Sequence, residues 1–325
     1  MSQKFVWTLF LQILLLCTVS SSPAATLHAI VIADTNATQG AISFSVDLRR
    51  MKELAKTISS HTQLSLKIHE ISGSSLNRDN VVSTLERLSV GSNDVIIFYY
   101  AGHGGRFSDK SSVWPMMDIK GGALDLMQVK TSLEQKNPRF IMVLADTCNN
   151  FNDSFGPVWG RGGSSSRGKS SSSDGYRQLF LDYQGHVFAS GSKPGQYSWG
   201  NAQYGGFFTD AFLKNLNEGL ESPNPNWYTI MKRTEAPITV QGKGEQYPQS
   251  QVDIRPVRSG VSSPIPDQCY YFYKPNGVLC CKGSNGTTCE QSDEVAGEKC
   301  PRGSFFMKPG GITCCRRPTG DTCTE

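Results

Sequence analysis

Apolar residues along this chain gather into short runs that alternate with stretches of helical spacing. Leu27 to Ile32 is too brief for a helix and reads as a buried strand. Phe44, Leu48, Met51, Ala55 and Ile58 then recur at helical spacing, with Asp47, Arg49, Arg50, Lys52 and Glu53 between them, which predicts an amphipathic helix over 43–59. Leu64, Leu66 and Ile68 alternate with Ser65 and Lys67 as in a half-buried strand. A second helix is expected from Asn80 to Leu88. Asp94 to Tyr100 (DVIIFYY) is apolar, β-branched and aromatic, and it stops abruptly at Ala-Gly-His-Gly-Gly. It should be a central strand with His103 just past its carboxyl end. A helix around Ala123 to Glu134 leads into another buried strand, Arg139 to Ala145, whose carboxyl end carries Asp146, Thr147 and Cys148. Gly185 to Ser190 reads as a strand, Phe207 to Leu216 as a helix, and Ile238 to Val240 as a shorter strand. Strands alternating with helices imply an α/β domain whose mainly parallel sheet is covered on both faces.

The two ends of the chain differ from this middle. Lys4, the apolar stretch Phe5 to Cys17 and the small residues Ser20 to Ala25 have the layout of a secretory signal peptide, with cleavage expected after Ala24 or Ala25. A membrane anchor is the alternative, but the apolar run falls short of the roughly 20 residues that span a bilayer. The protein is therefore expected in a secreted or other exported compartment, with no stable membrane insertion. Signal peptide (1–25), catalytic domain (26–254), linker (255–268) and Cys-rich module (269–325) are the expected divisions. Residues 160–175 (GRGGSSSRGKSSSSDG) read as a flexible loop inside the domain.

Cysteines sharpen this division. Without Cys17 nine of the ten remain, and eight of them (Cys269, Cys280, Cys281, Cys289, Cys300, Cys314, Cys315, Cys323) fall in the last 57 residues. That tail is duplicated: Phe272, Lys274, Pro275, Gly277, Cys280, Cys281, Gly286, Thr288 and Cys289 recur 34 residues later, ending at Cys323. Four cysteines per copy suit two disulfides in a module too small for an apolar core, with zinc binding the competing reading. The ninth cysteine, Cys148, is left over, which in an exported protein marks a reactive thiol or an intermolecular bridge. The net charge of +4 is small, and the basic residues form no runs beside aromatics, so nucleic acid is not an expected partner.

His103 and Cys148 are thus predicted at the carboxyl ends of two successive strands, where open parallel sheets bind ligands. An imidazole beside a thiol can withdraw its proton and make it a nucleophile. The amides of Gly104 and Cys148 are candidates for stabilising an oxyanion. Each half also has a plainer explanation, a buried small hydrophobe for the cysteine and a turn for Gly-His-Gly. The remaining histidines, His28, His61, His69 and His186, read as ordinary strand or surface residues.

Tyr100-Ala-Gly-His-Gly after one apolar strand, with Ala145-Asp-Thr-Cys148 after another, closely resembles the caspase, metacaspase and paracaspase superfamily. Phe188-Ala-Ser-Gly and Gly205-Gly-Phe-Phe-Thr-Asp-Ala-Phe-Leu also look like that family's last sheet-and-helix region. The resemblance spans roughly residues 27–254. It implies a six-stranded, mainly parallel sheet and cleavage of peptide bonds through a thioester, with His103 and Cys148 as the dyad. The chain departs from the family pattern at Ala101, where Ser is common, and at Asn149 and Asn150 after the nucleophile. Calcium-activated metacaspases would require paired aspartates after Asp118. Here only Leu124-Asp125 is found, so no cofactor is expected.

Cleavage after Arg or Lys is expected, because a cationic side chain needs carboxylates in its pocket. The candidates are Asp47, similar in position to an acidic pocket residue of metacaspases, and Asp146. Each has a plainer reading, Asp47 as a helix N-terminal charge and Asp146 as a backbone cap. The resemblance also suggests self-cleavage at Arg161, Arg167 or Lys169 in the Gly/Ser-rich loop. Two other functions compete with this one. The domain can be an idle scaffold whose tail binds a surface or glycan, or a legumain-like peptidase that cleaves after Asn.

Overall fold

The computed structural model describes residues 25–151 and 173–257, together with the backbone of short strands between Tyr270 and Cys323. The α/β region runs β1 (Thr26–Ala33), α1 (Ala41–Thr62), β2 (Ser65–Ser72), α2 (Arg78–Arg87), β3 (Val95–Ala101), β4 (Gly104–Gly105), β5 (Met116–Met117), β6 (Leu124–Asp125), α3 (Leu126–Glu134) and β7 (Phe140–Asp146). It continues through α4 (Ser173–Leu181), β8 (Tyr183–Ser190), β9 (Gly200–Asn201), β10 (Gly205–Gly206), α5 (Phe207–Leu220), α6 (Trp227–Thr234), β11 (Ile238–Val240), β12 (Gly244–Gln246) and β13 (Gln249–Pro256).

Six strands form the main sheet in the order β13-β8-β7-β3-β1-β2, parallel except for β13, which runs antiparallel to β8. Strands β1, β3 and β7 are buried along their whole length, which explains their unbroken apolar composition. Alternate residues serve opposite layers. Val95, Ile97, Tyr99, Phe140, Met142 and Leu144 pack with α1, α4, α5 and α6, while Ile96, Phe98, Tyr100, Ile141 and Val143 pack with α2 and α3. The same alternation directs Asp146 to the α1 and α5 side, a placement that matters below. Asn77, Asp125 and Asn226 start α2, α3 and α6 by accepting from the backbone amides of Asn80, Met127 and Thr229.

Several elements differ from the sequence expectation. Helix α1 is longer than 43–59, and Asp47 lies on its buried face, fully enclosed in the second turn, rather than among the solvent-facing charges or at the helix N-terminus. Residues 173–175 begin α4 instead of ending a loop, and β13 extends through Pro256, past the expected start of the linker at 255. Helix α6 and strand β13 have no counterpart in the sequence reading. The predicted strand at Ile238–Val240 exists, but it pairs with β12 in a separate hairpin. His28 and His186 are strand residues, of β1 and β8, but they are buried and face carboxylates, Asp94 at 3.1 Å and Glu134 at 3.0 Å.

In the tail, the backbone register repeats as the duplication requires: Cys280 pairs with Cys289 and Cys314 with Cys323. The disulfide expectation concerns side chains outside the described residues, as do the signal peptide and most of the linker. Among the described residues no helix is long and apolar enough to cross a membrane.

One side chain joins three elements of the core. Trp227 of α6 is fully buried, stacks on Phe140 of β7 with ring centroids 5.7 Å apart, meets Phe180 of α4 edge-on, and donates from its indole nitrogen to Leu179 O at 2.8 Å. Trp227→Ala should cost about 3–5 kcal/mol. The midpoint of urea unfolding measures this, and a change under about 1 kcal/mol would show that the layer collapses around the gap.

Candidate active site

Parallel pairing of β3 with β7 sets Ala101 opposite Asp146. His103 and Cys148 each lie two residues beyond that pair, on adjacent strands about 4.8 Å apart. Both line one narrow cleft with Gly40, Phe44, Asp146 and Ser198. The structure therefore brings together the two residues singled out from the sequence.

Local chemistry fixes the imidazole. His103 is half-buried, its ring lies edge-on to Phe44 at 5.4 Å, and its Nε2 is 3.0 Å from Gln39 O. A carbonyl only accepts, so Nε2 carries the hydrogen and Nδ1 is the basic nitrogen. Gly40 makes this contact attainable. It precedes α1 with φ +96°, and a Cβ there would stand 2.5 Å from the Phe44 ring. On the backbone side, the Tyr100 hydroxyl is shared between His103 O at 2.7 Å and Asp118 O at 3.0 Å. Asp34 and Asp118 are both close enough to His103 for its charge to act on them, while burial holds both carboxyls above their ordinary range. Neither was a sequence candidate.

Gly104 occupies a crowded position. Any Cβ would lie 2.3 Å from Met116 O and 2.3 Å from Thr147 Oγ1. Asp118 N–H donates to His103 O, which brackets the Gly104–Met117 pair as a non-hydrogen-bonded pair of the antiparallel ladder. The Gly104 amide is thus left outside the ladder.

Cys148 is buried and, among the described residues, is a free cysteine. Its Sγ is held by the backbone of Ser198, accepting from Ser198 N–H at 3.4 Å and donating to Ser198 O at 3.5 Å. Burial pushes the thiol up to about 12, opposed by the Ser198 amide and reinforced by the negative charge of Asp146. At rest the sulfur is therefore a thiol rather than a thiolate.

Asp146 and Asp47 converge behind the cleft. Asp146 is fully engaged: Oδ1 accepts from Ser198 Oγ at 2.6 Å, and Oδ2 from Thr209 N at 2.9 Å and Thr209 Oγ1 at 2.8 Å. Asp47 Oδ2 accepts from Gly206 N at 2.8 Å, but its Oδ1 is buried without a partner. Burial, and then the charge of Asp146, hold Asp47 well above the ordinary carboxylate range; burial raises Asp146 as well. Arg50 stands nearby but spends its hydrogens on Tyr204 O and Asp210. Glycines permit this crowding, since a Cβ on Gly205 or Gly206 would fall 2.0 Å from a carboxylate oxygen of Asp47 or Asp146.

The wall opposite His103 escaped sequence reasoning. Ser198 and Trp199 come from the segment between β8 and β9, and Gln246 locks them by accepting from Trp199 N at 2.8 Å and donating to Ser198 Oγ at 2.9 Å. No local periodicity marks such loop residues. Asp125, which stands where calcium-activated metacaspases would require paired aspartates, caps α3 and pairs with Lys110. Among the described residues no group of three or more His, Cys, Asp or Glu is arranged to hold a metal. Arg161, Arg167 and Lys169 lie outside the described residues.

Comparison with known proteins agrees with this fold. The caspase domain family matches residues 28–256, well over half of the chain. Among solved structures the chain is similar to protein GSU0716 from Geobacter sulfurreducens, at 14% sequence identity and a TM-score of 0.44, covering 70% of this chain and 92% of that one. No curated protein matches significantly.

A thiol pushed up to about 12 should react slowly with iodoacetamide at neutral pH. The expected outcome is a rate on Cys148 that keeps rising beyond pH ~10, against an ordinary thiol levelling off near its own pKa of about 8.5. A plateau below pH ~8 would mean that the thiolate is already formed at rest.

Proposed function

As the chain belongs to the caspase domain family, whose members are cysteine peptidases, we propose that it is an exported endopeptidase that hydrolyses peptide bonds after Arg or Lys with His103 and Cys148 as its dyad. The observation that carries this reading is that His103, Cys148 and Asp146 share one cleft, while a second buried carboxylate, Asp47, keeps an unpartnered oxygen beside it.

In the proposed reaction His103 Nδ1 takes the thiol proton as Cys148 Sγ attacks the carbonyl carbon of the scissile bond. The oxyanion accepts from the amides of Gly104 and Cys148. His103 then passes the proton to the leaving amine, the carbon–nitrogen bond breaks, and water hydrolyses the thioester. Asp34 and Asp118 favour the imidazolium that forms in between.

Specificity follows from desolvated charge. Two carboxylates held so close repel one another, and a cationic side chain relieves the repulsion. The Asp-directed alternative would put a third negative charge against them. Arg161, Arg167 and Lys169 would then be sites where the enzyme cuts itself. The amino-terminal apolar stretch supports export, and the duplicated Cys-rich tail is suited to holding the enzyme to a surface or glycan. No cofactor enters this mechanism.

Turnover of a fluorogenic peptide library should be confined to Arg and Lys before the scissile bond and absent from Cys148→Ala. Preference for Asp or Asn would refute the specificity. The acidic pocket adds a linked expectation. Because the folded-state pKa of Asp47 is raised, native stability falls as pH rises from the unfolded carboxylate value of about 3.9 up to the raised one, and the penalty is complete above it. Asp47→Asn should accordingly melt higher than the parent at neutral pH while losing most activity on Arg peptides. In the parent enzyme KM for those peptides should rise as pH falls, beginning above the ordinary carboxylate range. Lower stability of Asp47→Asn together with unchanged KM would contradict both parts.

A further inference from the structure

We propose that the Ser43 hydroxyl is a specificity-determining ligand of the same pocket, acting with the open oxygen of Asp47 to favour a guanidinium over an ammonium; this rests on the cationic-pocket reading above. Ser43 lines the cleft with His103 and Cys148, is buried, and its Oγ has no hydrogen-bond partner. A buried hydroxyl without a partner is a cost that folding by itself does not explain.

Its position explains what it waits for. Ser43 stands one helical turn before Asp47 on the buried face of α1, so the two side chains project from neighbouring points about 5–6 Å apart at Cβ. Each rests against a glycine of the β9–β10 hairpin. A Cβ on Gly200 would lie 2.6 Å from Ser43 Oγ, and one on Gly205 would lie 2.0 Å from Asp47 Oδ1. Asp146, in contrast, has both oxygens occupied by Ser198 and Thr209. A substrate side chain bringing new donors therefore finds Ser43 Oγ open in the cleft wall and Asp47 Oδ1 open behind it on the same helix, while Asp146 contributes charge and holds the wall; Thr147 Oγ1, the other unpartnered hydroxyl of the lining, lies against Gly104 instead. A planar guanidinium, with five donors in a fixed fork, can bridge acceptors separated by a helical turn. An ammonium is a point donor and satisfies the carboxylate first.

Ser43→Ala in the full chain tests this. The expected result is a fall of about tenfold in kcat/KM for Arg peptides, carried by KM, against less than about threefold for Lys peptides. The melting temperature should hold or rise, since an unpartnered hydroxyl is removed. A readout independent of turnover is the thermal shift given by n-butylguanidine, which should shrink in the variant while that of n-butylamine does not. Arg kinetics within about twofold of the parent, or equal losses for Arg and Lys, would overturn the role of Ser43 while leaving the cationic pocket standing. A parent enzyme that cleaves after Asp or Asn would instead overturn the pocket reading itself.

Discussion

The register of β3 against β7 is the constraint on which the site depends. Ala101 opposite Asp146 brings the ends of the two strands level, so that equal extensions of two residues carry His103 and Cys148 to the same height above the sheet. A slip of β7 by one residue would turn Asp146 toward the opposite layer, away from Thr209 and Asp47. The register is strongly specified because both faces of both strands are buried, and each face packs against a different set of helices.

Around that pair the polypeptide trades local comfort for chemistry. Carboxylates are buried side by side, Ser43 Oγ and Asp47 Oδ1 lack partners, and the nucleophile is enclosed until its thiol titrates near 12. Each of these costs stability in the empty protein, and each is supported by a well-packed neighbour. Trp227 and the aromatic rings around it anchor the layer below, and Gln246 fixes the Ser198–Trp199 segment from a separate hairpin. Several of these unfavourable groups gather at the carboxyl ends of β3 and β7, where buried charge and open hydrogen-bonding atoms mark a site.

Glycine placement is the complement of that charge. Gly104 lies where Met116 O and Thr147 Oγ1 leave no room for a side chain, and Gly205 and Gly206 lie against two carboxylates. Their value comes from close approach of backbone to polar atoms. In the sequence they are indistinguishable from turn glycines.

The sequence by itself determined the alternation of strands and helices and set His103 and Cys148 at the carboxyl ends of neighbouring strands, because these signals are local. An apolar run has a length, a helix has a period, and Cys148 is conspicuous once the tail cysteines are grouped by their repeat. Tertiary structure decided the rest. The half-exposed, polar β13 became the sixth strand because β8 offers it an unpaired edge, and Asp47 moved from the apparent polar side of α1 to its buried face because the β9–β10 glycines leave space for a carboxylate. Ser43, Ser198, Asp34 and Asp118 joined the site from four separate segments. Their roles depend on which atoms lack partners in three dimensions, a quantity set by long-range contacts that periodicity and composition do not carry.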